Sequence, residues 1–318
     1  MLRRYASVFV ILAVAAAVVL TGCGRSGGGS SSSIAEINGK KITSNDLVNY
    51  MSRNPMTKEQ VSAALSQMLD EELVLSLAAE KKVTPTDEQV NARLAPIKKA
   101  EDLDAYLKES GLTLDEYKHR LMIEQARINL AETTLKTKIK DEDVKKEYDQ
   151  RKNTAFSIPE RVKMEAVIFP NKAAADSAVK KLSSGSSIQQ VADEAGLKVE
   201  HQAIPKQGTG LPEQITKPLF STPKGKPTKP ISLGGMTGSE QWLVMVPGDK
   251  MPAVKITLEE AKPLIYAQLV MKSAIASGDY NKMLENARKD AKLTISEPGL
   301  KDVEKTFKKT SPSGAALP

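Results

Sequence analysis

Cysteine is almost absent from this 318-residue sequence, which holds only Cys23, and histidine is nearly as scarce, with His119 and His201 alone. A single thiol excludes an intrachain disulfide framework and any cysteine-rich zinc or iron–sulfur site. Two histidines far apart in unlike surroundings argue against a histidine-built metal centre or a His-based triad. His119 lies on a charged helical stretch and His201 on a strand-like one, and both read as solvent-facing. Aromatic residues are few as well. One Trp, seven Tyr and five Phe leave little for stacking single strands, and no Arg/Lys run is interleaved with them. No glycine-rich run ends in Lys followed by Ser or Thr, so the nucleotide-cradling loop is missing. Acidic pairs such as Glu71-Glu72 and Glu259-Glu260 fall on the wet sides of helical patterns rather than facing each other across a cleft. The sequence therefore calls for no metal, no cofactor and no nucleic-acid partner.

What is present begins with an address. Arg3 and Arg4 precede an apolar run from Tyr5 to Leu20, followed by Thr21-Gly22-Cys23. A run of this length is shorter than the roughly 20 apolar residues that span a bilayer, and its charged start and small-residue end describe a secretory signal. Leu20 to Cys23 resembles a bacterial lipobox. That resemblance implies cleavage after Gly22, acylation of Cys23 and a lipid anchor, which leaves the mature chain on the outer side of a cell membrane. Gly24 to Ser33 (GRSGGGSSSS) then reads as a flexible tether. Removing residues 1–22 takes away Arg3 and Arg4 and no acid, so the formal charge falls from +7 to +5. So small a balance gives no ground for a polyanionic partner.

The mature chain alternates between two kinds of pattern. Residues 34–44 read as two strand-like pieces about Asn38-Gly39, a strong hairpin signal. Capping boxes then open helices at Thr57/Gln60, Thr86/Gln89 and Thr113/Glu116. Leu65, Leu69 and Leu73 continue the apolar stripe of the first, and Leu121, Ile128 and Ala131 that of the third, where Glu124 interrupts it. Near Pro159 the helical pattern stops, and Arg161 to Phe169 reads as a strand. Helices over Lys172–Leu182 and Ser187–Ala195, a strand over Leu197–Ile204, a proline- and glycine-rich stretch around a short helix at Glu213–Phe220, and strands near Ile231–Leu233 and Gln241–Val246 complete a small mixed unit. Another capping box, Thr257/Glu260, returns the chain to helix. The expected fold class is α+β: a discontinuous, mostly helical domain with a small α+β domain inserted in it. The divisions are a signal peptide 1–22, a tether 23–33, helical segments 34–158 and 254–296, the insert 159–253, and a disordered tail 297–318.

Ala35 to Gly39 with Ile42-Thr43, Leu69 to Lys82, Asp87 to Val90, Gly111-Leu112-Thr113 with Glu116-Tyr117, and Asp141 to Tyr148 together resemble the chaperone region of the SurA/PrsA family of extracytoplasmic foldases. The resemblance implies a split helical chaperone domain carrying a parvulin-type (PpiC-type) peptidyl-prolyl isomerase domain, with unfolded or nascent secreted proteins as clients. It leaves open a homodimer through the helical arms. Matching Glu160 to Lys163 puts Ala166 where a parvulin usually carries its first histidine, and Leu243, after Trp242, where it carries its second. Leu219-Phe220-Ser221 before Lys224-Gly225 is similar to the family's aromatic and turn. The resemblance thus implies a proline pocket of Met164, Phe220 and Trp242, with no confident catalytic residue and weak or absent isomerase activity. The alternatives are an active isomerase with substituted polar groups and a lipoprotein with a structural role in envelope assembly.

Overall fold

The computed structural model describes residues 32–51, 57–207, 210–234 and 240–309. The signal segment, Cys23 and the tether up to residue 31 lie outside the described residues, as do 310–318. Ser33, allotted to the tether, already opens the first strand.

β1 (Ser33–Ile37) turns at Asn38-Gly39 into β2 (Lys40–Thr43), antiparallel, with Ile37 opposite Lys40. Both turn residues have positive φ, 50° and 82°, which is what a two-residue type I′ hairpin demands and why Asn-Gly marks it. The other edge of β1 pairs with β9 (Leu293–Ile295), Ala35 opposite Ile295, so the first and last parts of the described chain share one sheet, ordered β2-β1-β9.

α1 (Ser44–Met51) and α2 (Lys58–Glu80) pack on this sheet, and α3 (Asp87–Ala100), α4 (Leu103–Ser110), α5 (Leu114–Thr133) and α6 (Asp141–Arg151) follow. After the insert come α10 (Leu258–Ser277), α11 (Asp279–Asp290) and α12 (Asp302–Lys309). The capping boxes read from the sequence are formed at Thr57, Thr86, Thr113 and Thr257. At Thr257 the backbone N–H donates to Glu260 Oε2 at 2.7 Å while the Glu260 N–H donates to Thr257 Oγ1 at 3.3 Å. Glu124, which interrupts the α5 stripe, takes a hydrogen bond at 2.7 Å from Nη2 of the buried Arg93 on α3. Its position within an apolar stripe is therefore explained by pairing.

α10 packs against α3, α5 and α6, and Val270 and Ala274 bury against Val74, Ala126 and Leu130. Arg288 on α11 reaches Asp70 on α2 through two hydrogen bonds, Nε to Oδ1 at 2.9 Å and Nη2 to Oδ2 at 2.6 Å. Only 6% and 14% of these side chains are exposed. The Arg288 guanidinium also lies 5.4 Å from the centre of the Phe307 ring on α12.

That helix corrects an expectation. The tail, expected to be disordered from 297, folds into a single 3-10 turn (Pro298–Leu300) and α12. Leu300, Val303 and Phe307 are buried with Leu65, Leu69 and Ile295. Three apolar side chains among many charges carry too weak a local signal, but they meet a surface that α2 and β9 have already made.

The inserted unit is a four-stranded antiparallel sheet in the order β5-β4-β7-β6, made by β4 (Arg161–Phe169), β5 (Glu200–Pro205), β6 (Ile231–Ser232) and β7 (Trp242–Met251). α7 (Lys172–Ser183) and α8 (Ile188–Ala195) cover one face and α9 (Glu213–Ser221) the other. The chain crosses between units on a two-stranded ribbon, β3 (Ser157–Ile158) with β8 (Val254–Lys255). Tyr148 stacks on Phe156 at 5.3 Å and donates to the Ile256 carbonyl at 2.9 Å, which locks the foot of the ribbon to α6. Above it Arg161 donates to the Ala100 carbonyl at 2.5 Å, and Lys163 pairs with Asp102. Asp102 is also the N-cap of α4, accepting from the Ala105 N–H, and the Lys163 ammonium together with that bond holds its carboxyl below the usual carboxylate range. Gly248 permits the close passage here, since a Cβ on it would come within 3.2 Å of the Lys163 Cβ.

Candidate functional site

Alternation along β4 and β7 decides what each face of the insert can do. Val162, Met164 and Ala166 of β4 and Leu243 and Met245 of β7 point to the α9 side, where Ile215, Leu219, Leu233 and the half-buried Phe220 close over them. Register places Ala166 opposite Met245 and Ile168 opposite Leu243. The two positions expected to hold imidazoles therefore lie on one face, and both are buried, 3% exposed for Ala166 and 8% for Leu243.

The expected three-residue pocket is not assembled. Trp242 has the opposite parity from Leu243 and turns to the α7/α8 face with Val244, Phe169 and Val167. Its ring there lies 5.7 Å from Lys172 Nζ. Met164 and Phe220 share a face; Trp242 does not join them. The sequence reading went by residue type, and strand parity was the signal that would have separated the tryptophan.

Thr228, missed from the sequence, is the buried hydroxyl beside this face, 2% exposed. Its N–H donates to the Met245 carbonyl at 2.8 Å and its Oγ1 accepts from the Met245 N–H at 3.1 Å, so it stitches the turn after α9 to β7. Around Phe220 the rim is cationic: Lys206 Nζ lies 5.9 Å from the ring centre and Lys250 Nζ donates to the Phe220 carbonyl at 3.4 Å. Lys224, at 2.5 Å from Asp249, holds that carboxyl below its ordinary range. His201 lies on the edge strand β5 with Nδ1 3.5 Å from Glu165 Oε1, and His119 is exposed on α5. Neither reaches the α9 face. This face is packed with apolar side chains and offers no imidazole pair to hold or polarise an imide.

A second concavity, of about 750 Å³, lies in the helical unit between α2 and α11 beside the β1–β2 turn. Leu73, Leu77, Met283 and Ala287 form its floor, and Glu80, Lys81, Asp279, Lys282 and Asp290 its rim. Among the described residues no group of three or more His, Cys, Asp or Glu is arranged to hold a metal ion, and no helix is long and apolar enough to cross a membrane.

Comparison with known proteins agrees with this geometry. A model of the SurA-like N-terminal domain matches residues 1–131, and a model of the PPIC-type PPIase domain matches residues 139–263. The chain belongs to the SurA/PrsA-type foldases. Its relatives include the foldase protein PrsA of Clostridium botulinum, 26% identical over 199 residues that cover 51% of this chain and 58% of the relative. PrsA of Clostridium acetobutylicum is 22% identical over 144 residues, 42% of this chain and 43% of that one. The chain thus spans about half the length of the curated relatives it matches. Among solved structures, PrsA of Streptococcus pneumoniae is 16% identical with a TM-score of 0.32, covering 87% of this chain and 100% of that one. PrsA of Bacillus subtilis is 16% identical with a TM-score of 0.29 over the same shares. The PPIC-type match spans the inserted unit.

Proposed function

We propose that this foldase is a lipid-anchored chaperone, attached through Cys23 on the outer side of a cell membrane, that holds unfolded secreted chains without ATP. Its parvulin-type domain contributes binding surface rather than catalysis. The observation that carries this reading is the buried, wholly aliphatic pair Ala166 and Leu243 on the α9 face. Prolyl isomerisation is slow because amide resonance sets a barrier of about 18–20 kcal/mol. Lowering it requires polar groups placed where the imide loses that resonance, and one preorganised donor of this kind typically contributes about 10²–10³ in rate. Among the described residues this face carries no imidazole, and the buried Thr228 hydroxyl beside it is taken up by the Met245 N–H.

For binding, the groove between α2 and α11 offers an apolar floor within a charged rim. Burying a client Leu or Phe stabilises by about 1.5–3 kcal/mol. Three such side chains would reach the roughly 8 kcal/mol of a micromolar complex only if ordering the client cost nothing, and ordering costs several kcal/mol. Affinity is therefore weak and release spontaneous, which removes the need for nucleotide. The test is aggregation of a reduced, unfolded client in the presence of the mature chain. We expect suppression at near-stoichiometric ratios, and no suppression at several-fold molar excess would reject the chaperone reading. Recovery of one stoichiometric envelope partner in place of many clients would favour the structural alternative.

A further inference from the structure

The helix that the sequence hid, α12, carries a charge pattern the chaperone reading does not use. Val303 and Phe307 are buried against α2 and β9. Lys301, just before the helix, already has helical angles, φ −57° and ψ −28°. At 3.6 residues per turn, Lys301, Lys305, Lys308 and Lys309 fall within an arc of about 100° centred opposite that buried pair, with Asp302 and Glu304 at its two edges. Lys301, Lys305 and Lys309 are exposed, and among the described residues no ion pair engages any of the four. Four cations are thus presented together on the side turned away from the protein.

Their place in the fold supplies the occupant. The segment leading into α12 is tied to the first described strand, the Ser296 N–H donating to the Ile34 carbonyl at 2.8 Å and the Glu297 N–H to the same oxygen at 3.4 Å. The lysine face therefore begins where the chain from Cys23 arrives. Only ten residue steps separate Cys23 from Ser33, a reach of at most about 35 Å even fully extended. α12 itself is about 12 Å long. We propose that this face docks on anionic phospholipid headgroups and sets which side of the molecule faces the bilayer, a proposal that rests on the lipid-anchor reading of Cys23. A membrane surface is long-ranged and delocalised in its negative charge, so a row of unpaired lysines suits it without a shaped pocket.

The experiment uses the mature chain from residue 23 with Cys23→Ser, so that no acyl chain contributes, and follows its cosedimentation with vesicles of phosphatidylcholine alone or mixed with phosphatidylglycerol. We expect binding to the anionic vesicles only, weakened by salt, and reduced at least ~10-fold in the K301Q/K305Q/K308Q/K309Q variant, given the contribution of each surface cation near an anionic leaflet. The K224Q/K226Q/K229Q variant of the parvulin-type domain keeps wild-type binding. Equal partition onto both vesicle types, or binding unchanged by the four substitutions in α12, overturns the proposal. Far-UV circular dichroism and aggregation suppression, measured on the same variant, show that α12 is still folded. Acylation of Cys23 is read separately, from the mass of the N-terminal peptide of the membrane-extracted protein. A missing lipid with anionic-selective binding retained would sink the anchor and support the α12 surface.

Discussion

In the helical unit, Arg288 and Asp70 form an ion pair that is nearly shut off from water and joins segments 218 positions apart. In the parvulin-type domain the pairs Lys206–Glu160 and Lys224–Asp249 stand in solvent, and the side chains between the sheet and α9 are apolar. The first region uses buried charge to fix which distant segments belong together. The second has a sheet packed with apolar side chains on both faces, with the buried hydroxyl of Thr228 beside one of them. The two regions thus differ in what holds them together: the inserted sheet rests on apolar packing, the discontinuous domain also on a buried ion pair between distant segments.

The largest effect should come from breaking that clasp. Arg288→Ala leaves Asp70 buried without a partner and should cost the helical unit about 3–5 kcal/mol in urea unfolding. If the pair acts as a clasp rather than a net source of stability, the double variant Asp70→Leu/Arg288→Met should recover most of that loss. A somewhat smaller loss, about 3 kcal/mol, is expected from Leu219→Ala, whose fully buried side chain projects from α9 onto the sheet. It should fall on the parvulin-type domain alone, with the Arg288-dependent transition unmoved. A shift of both transitions together would show that the two units unfold as one.

The smallest expected effect lies at the junction between units. Lys163 and Asp102 are 41% and 31% exposed, so their pairing contributes at most about 1 kcal/mol. Because the Asp102 carboxyl is held below its unfolded value in the folded protein, this contribution is full above that value and is lost as pH falls through the lower, folded one. Wild type and Asp102→Asn should therefore differ slightly at neutral pH and converge in acid. The difference is measurable by thermal unfolding across a pH series, and a difference that grows in acid would contradict the assignment.

Much of this fold was legible because its signals are local. A capping box needs residues three apart, and the boxes at Thr57, Thr86, Thr113 and Thr257 formed as read. The Asn38-Gly39 turn likewise carries its own conformational requirement. What escaped depends on partners far along the chain. α12 is held by α2 and β9, and the β3–β8 ribbon is two residues wide on each side, too short for any periodicity to register. The site was half legible. Ala166 and Leu243 share a face, but Trp242, grouped with Met164 by chemistry, lies on the opposite side because of its position in the strand.

The most direct test of the central claim is the refolding of a client whose slow phase is limited by proline isomerisation, followed at increasing concentrations of the mature chain. The proposed function predicts that soluble yield rises while the slow rate constant stays at its uncatalysed value. A slow phase that accelerates in proportion to the foldase would contradict it, because a face built around Ala166 and Leu243 would then be catalysing the step it is argued to have lost.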